Sequence, residues 1–196
     1  MKRFMTVSIA FVFTMIVLVG CSPIDSIKNL VAPQAMGVIA YGDESVIKVD
    51  IARYQEDLKS SNTYPVKLAD NILVLKSSTA QSLFEQEMLR KVVQDSKTEV
   101  LTSLPTVTKE TGILFAKENG SPLKIGGKEV NAKYEGNVVI GHGRVYGEKF
   151  LIVDDSEWEK FVGTDKMMGV LAFDKKNPKH ELTNFSAERV QLVDLK

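Results

Sequence analysis

The sequence predicts an α+β fold, a mainly antiparallel sheet with two or three helices, forming a single domain after an N-terminal export segment. Short apolar runs bounded by glycine, proline or small polar residues recur from residue 37 onward, which is the pattern of strands. Strand-like runs crowd together between about 112 and 153, leaving no room for the helical crossovers that parallel pairing usually needs. Helical spacing of apolar residues is confined to a few short stretches.

Taken in order, residues 37–41 make a first strand. Residues 46–58 are ambiguous: Val46, Val49, Ile51 and Leu58 hold no single period, although 50–59 suits a short helix that residues 62–65 would break. The run Ile72-Leu73-Val74-Leu75 is too short for a helix and suits a buried strand. The clearest helix follows, capped by Ser78 or Thr79, with Leu83, Phe84, Met88, Leu89, Val92 and Val93 at helical spacing to about Ser96. Pro105 punctuates a loop. Residues 113–116, 123–125, 130–134, 138–140 and 150–153 then read as strands, with Gly126-Gly127 supplying the positive φ of a tight hairpin turn. Ser156 and Glu159 form a Ser-x-x-Glu capping box opening a short helix through Trp158, Phe161 and Val162, which Gly163 stops. Residues 169–173 form another strand. In the tail, Val190, Leu192, Val193 and Leu195 suit a helix or a strand, and Ser186 as a cap favours the helix.

Composition excludes several function classes. The 196 residues carry 25 basic and 25 acidic groups, and no segment has the excess of Lys and Arg that neutralising nucleic-acid phosphates requires. One cysteine rules out an intrachain disulfide framework and a cysteine-based zinc site. His142 and His180, the only histidines, lie far apart and form no ligand motif, so no metal and no cofactor is expected.

Lys2 and Arg3 precede an uncharged run over residues 4–20, the pattern of an export signal. The run closes on Leu18-Val19-Gly20-Cys21. This tetrapeptide resembles the lipobox of bacterial lipoproteins. The resemblance implies a signal peptide at 1–20, cleavage between Gly20 and Cys21, lipidation of Cys21, a tether at 21–36 and an extracytoplasmic domain at 37–196. The alternatives are an uncleaved anchor, since the run reaches only the lower limit of the roughly 17 to 25 residues that span a bilayer, and an ordinary secretory peptide with an accidental cysteine. Each buried methylene contributes about 0.8 kcal/mol, so two or three acyl chains hold a protein essentially permanently. Loss of Lys2 and Arg3 leaves 23 basic against 25 acidic groups, so a basic patch on anionic lipid is not expected. Ser22 stands where an inner-membrane retention signal would have aspartate, and twenty lysines against five arginines fits an AT-rich genome. Both point to the outer face of a Gram-positive cell membrane.

Among candidate sites, the loop Gly141-His142-Gly143-Arg144-Val145-Tyr146-Gly147 could present backbone N–H groups to an anion. A strand rather than a helix follows it, unlike dinucleotide and P-loop sites, so an irregular connection is the simpler reading. If the loop binds, His142, Arg144 and Tyr146 are the candidate binding residues. Asp154, Asp155, Glu157 and Glu159 are explained by a helix start, where negative charge complements the dipole. They lack the spacing of a calcium loop. Trp158 and Phe161 suit core packing. No Gly-x-Ser-x-Gly elbow or Ser-x-x-Lys set is present in a recognisable context, so no catalytic residue is assigned.

The segments Leu123-Lys124-Ile125-Gly126-Gly127-Lys128-Glu129-Val130, residues 134–140 and Phe150-Leu151-Ile152-Val153-Asp154-Asp155-Ser156-Glu157-Trp158 lie within a stretch, about 112–174, that resembles the extracytoplasmic domain of FtsX-like ABC transporter permeases. The chain departs from that family in having neither permease helices nor an ATPase, and the likeness covers about a third of it. It implies an interaction or sensing domain and no particular binding residue. The expected function is a non-enzymatic, lipid-anchored domain binding a protein or peptide at the membrane surface, in association with an ABC transporter. A small-ligand-binding lipoprotein and a cell-envelope hydrolase are the alternatives.

Overall fold

The computed structural model describes residues 35–94, 97–120 and 122–195. The expected signal peptide, Gly20, Cys21 and most of the tether lie outside the described residues. The chain opens with β1 (Ala35–Gly42), α1 (Glu44–Tyr54), β2 (Leu58–Ala69), β3 (Ile72–Lys76), α2 (Ser77–Glu85), β4 (Leu89–Gln94) and β5 (Lys97–Val100). It continues with β6 (Gly112–Ala116), β7 (Leu123–Ile125), β8 (Lys128–Val130), β9 (Ala132–Tyr134), β10 (Val138–Ile140), β11 (Lys149–Val153), β12 (Thr164–Phe173) and β13 (Arg189–Leu195). Eight strands form one sheet in the order β13-β1-β12-β2-β3-β11-β6-β9, beside a small sheet β10-β4-β5 and the hairpin β7-β8.

The sheet is mixed, which corrects the mainly antiparallel expectation in part. β3 pairs with β11, and β6 with β9, in parallel; the remaining neighbours are antiparallel. The crossover from β6 to β9 runs through residues 117–131, and the β7–β8 hairpin takes the place of the helix that such a crossover usually carries. Gly126 and Gly127 have φ of +58° and +77°, as the hairpin expectation required. Asp70 and Asn71, with φ of +49° and +62°, make the same two-residue turn between β2 and β3.

Alternation along the strands buries both faces of the sheet. One face carries Ile39, Tyr41, Val66, Leu73, Phe115, Ile152 and Met168, packed against Leu83 of α2 and Leu89 of β4. The opposite face carries two clusters. Val38, Ala40, Leu171 and Phe173 meet Ile47 and Tyr54 of α1, while Val74, Leu114 and Leu151 meet Trp158 and the β7 residues Leu123 and Ile125.

Several sequence expectations are corrected. β2 passes through Pro65 without breaking, because β3 pairs only with Lys67 to Ala69. Pro65 thus lies where β2 has β12 as its sole strand neighbour, and its missing N–H is not needed on the other side. The helix expected from Ser78 to Ser96 stops at Glu85, and Leu89, Val92 and Val93 belong to β4. Met88 N donates to Leu83 O and Glu87 N to Phe84 O, both at 2.9 Å, a Schellman ending in which Glu87 takes φ of +56°. The Ser156 box opens no helix. Ser156 N instead donates to Asp154 Oδ1 at 3.0 Å, and only a 3₁₀ turn, Trp158–Lys160, follows. The tail is a strand, β13, paired with β1 from Tyr41↔Arg189 to Ala35↔Leu195. β1 also starts two residues before the expected strand, taking the end of the expected tether into the sheet.

α1 begins earlier than expected because its buried stripe is Ile47, Asp50, Ile51 and Tyr54, with a carboxylate at one of its inward positions. Asp50 is fully buried. It accepts from Ser186 N and Ala187 N at 3.0 Å and from Arg53 Nη1 at 3.2 Å. Arg53 also donates to Asn184 O and to Ser186 Oγ. These bonds hold residues 184–187 on the helix. Asp50→Asn is expected to lower stability by about 2–4 kcal/mol, because charge-assisted bonds to buried N–H groups weaken or are lost. The readout is urea unfolding with an unchanged slope; a loss below about 0.5 kcal/mol would show that the clamp carries little stability.

Candidate functional site

The loop after β10 is packed into the protein. Gly141 has φ of +64°, donates its N–H to Met88 O at 2.8 Å, and leaves no space for a side chain, since a Cβ would stand 2.6 Å from Val193 Cγ1. His142 N donates to Oε1 of the buried Gln191 at 3.2 Å, and Gln191 Nε2 donates to Ile140 O and Tyr41 Oη. The His142 imidazole is exposed, 3.5 Å from Asp194 Oδ2. Arg144 Nη2 donates to Asn137 Oδ1 at 2.7 Å and Val138 O at 2.9 Å. Its Nε is the one buried side-chain nitrogen or oxygen without a partner among the described residues. Burial lowers the affinity of this guanidinium for its proton. Tyr146 stacks on Tyr41 at 4.9 Å between ring centroids and donates its hydroxyl to Glu188 Oε2 at 2.7 Å.

The three candidate residues therefore point into three different sets of contacts. Tyr146 belongs to a network that sequence reasoning missed, because its partners come from β1, β12 and the residue before β13. Lys166 pairs with Asp43 at 2.7 Å and with Glu188. Asp43 first, then Glu188, hold the Lys166 ammonium above its ordinary range. Burial, then the bond to Glu188, pushes the Tyr146 phenol upward, and Lys166 followed by Tyr146 holds the Glu188 carboxyl below its own range.

The acidic residues after β11 act separately. Asp155 Oδ1 accepts from Ser77 Oγ at 2.7 Å and Ser78 N at 3.0 Å, so it caps α2, an element far upstream, rather than a helix of its own. Burial opposes its charge, but these bonds outweigh it and the carboxyl stays below its usual range. Glu157 pairs with Lys160, and Glu159 lies 3.8 Å from Lys67. Trp158 is core, as expected, with Lys67 and Lys76 ammonium groups 4.3 and 4.5 Å from its ring centroid.

A groove of about 350 Å³ lies at the end of the sheet where β1 begins. Val170, Ala172 and Leu195 give it an apolar floor, while Ser60, Asn62 and Gln86 give polar walls. Ser60 and Asn62 stand opposite Ala172 and Val170 in the β2–β12 ladder, so all four share one face. Gln86 is fixed by donating to Tyr64 Oη at 2.9 Å and Ser82 O at 3.0 Å. Lys59, Glu85 and Glu87 complete the rim. These residues come from four separated elements, and the only sequence trace of the floor is alternation within β12.

Among the described residues no His, Cys, Asp and Glu group suits a metal ion, and no helix is long and apolar enough to cross a membrane. The fold is a mixed-sheet α+β domain with a groove at one end of its sheet. The model of an uncharacterised lipoprotein family matches residues 35–196, and the chain belongs to that family. Membership implies a membrane-anchored protein of the cell envelope. A 1.5 Å crystal structure of a "putative lipoprotein" from Bacillus anthracis is similar at 32% identity and a TM-score of 0.73, covering 82% of this chain and 99% of that one. No curated protein matches. None of these comparisons bears on the FtsX-like resemblance of residues 112–174.

The Glu188 network has a pH signature. A carboxyl held low in the folded state contributes stability above its unfolded value, near 4.3, and loses that contribution as pH falls through the folded value. Urea midpoints at pH 7 and pH 3 are expected to differ less in Glu188→Gln than in the native protein. An unchanged difference would mean that this carboxylate contributes nothing to acid sensitivity.

Proposed function

We propose that the protein is a non-enzymatic module, anchored through lipidated Cys21 after cleavage behind Gly20, that holds a polypeptide segment of another envelope protein. The anchor would place it on the outer face of a Gram-positive cell membrane. The observation that carries the reading is the groove between α2 and the sheet, whose apolar floor lies under amide and hydroxyl walls. A polypeptide offers both chemistries, apolar side chains for the floor and backbone groups for the walls. The likeness of residues 112–174 to FtsX-like permeases makes an ABC transporter the partner class to try first.

A small ligand is the second reading, favoured by a volume inside the roughly 300–1,000 Å³ range of small-molecule sites. A photo-crosslinking residue in place of Ser60, in the full chain in lipidating cells, is expected to give a discrete protein adduct. The same residue in place of Lys128, on the exposed hairpin, should give none. In chains carrying the crosslinker at Asn62 instead, Ser60→Arg should abolish the adduct without changing Tm, since Ser60 is exposed. Equal adducts at Ser60 and Lys128, or none at either, would refute the polypeptide reading. An upward Tm shift with one class of apolar small molecule, without adducts, would favour the second reading.

A further inference from the structure

A second cleft, of about 440 Å³, lies at the opposite end of the sheet from the groove, between residues 116–120 and the start of β11. Lys117, Arg144 and Lys149 line it together with Glu118 and Glu148, so cations exceed carboxylates. Both carboxylates are exposed, whereas Arg144 and Lys149 are half-buried, which makes the inner part of the cleft the cationic part. The ammonium groups of Lys117 and Lys149 have no hydrogen-bond or ion-pair partner among the described residues. Lys149 Nζ lies over the loop at Gly120, 2.8 Å from where a Cβ would stand.

We propose that this cleft binds a phosphate group. The donor set suits phosphate. Arg144 has Nη2 committed to Asn137 and Val138 and Nε buried, so it offers no open fork for a bidentate grip. What remains is two ammonium groups beside Asn119, and an ammonium binds phosphate as a point charge without a planar match. The phosphate is either free or part of a larger envelope molecule, a phosphodiester polymer or a lipid headgroup. This site is separate from the groove, and neither assignment depends on the other.

The test is amide NMR of the full chain in maltoside micelles, titrated with inorganic phosphate and with sodium chloride at matched ionic strength. Saturable shifts at residues 117–120 and 144–149 with phosphate alone are expected, weakened at least fivefold in Lys149→Gln. Parallel titrations with poly(glycerol phosphate) and with phosphatidylglycerol vesicles identify the source: tighter binding that is lost in Lys149→Gln assigns the phosphate to whichever molecule shows it. Equal shifts with chloride, no saturable shift with any of the three phosphate sources, or binding unchanged in Lys149→Gln while its spectrum remains that of the folded protein, would overturn the proposal.

Discussion

A carboxylate without solvent contact sits under the first helix, and much of the architecture around the sheet edge follows from how its charge is satisfied. Burying Asp50 alone would cost several kcal/mol. The two main-chain N–H groups of Ser186 and Ala187, with Arg53, offset that cost by charge-assisted bonds. The geometry leaves residues 184–187 one place to lie, against α1. β13 then leaves that point in register with β1, Arg189 facing Tyr41. Two consequences follow at its two ends. Glu188 reaches Lys166 and Tyr146, and Leu195, at the far end of the strand, leans over Gly37 into the floor of the groove.

The same carboxylate explains a failure of sequence reading. Periodicity identifies a helix by an apolar stripe, and in α1 one inward position holds Asp50, so Ile47, Ile51 and Tyr54 do not stand out. Local signals were legible wherever the cause was local. The Gly126-Gly127 turn, the Ile72 to Leu75 strand and the run at 150–153 needed nothing distant to specify them. Where the cause was distant the reading failed. Helical spacing runs on through Met88 and Val93, but the Schellman ending has Glu87 where glycine would normally announce the stop. Pro65 reads as a breaker because the sequence does not show that β3 is too short to need its N–H. Asp155 reads as the start of a helix opening at Ser156, whereas the helix it caps begins at Ser77.

The candidate loop shows the same division. Sequence reasoning found the glycine-rich connection and picked out Arg144 and Tyr146, but not that Tyr146 belongs to a stacked and hydrogen-bonded core edge. Its partners, Tyr41, Lys166 and Glu188, lie on three other segments. The groove left almost no trace. Four elements contribute its walls and floor, and each contributed residue has an ordinary composition in its own segment.

Coverage of both faces of the eight-stranded sheet limits where this domain can meet another molecule. The connecting loops tolerate change while the packed layers hold position. In the cleft beside β11, Lys117, Arg144 and Lys149 exceed Glu118 and Glu148. A chain with equal numbers of acidic and basic residues can thus be neutral as a whole and still present a cationic field at one place. Screening over roughly 8–10 Å at physiological salt keeps such a field local to its own end of the sheet.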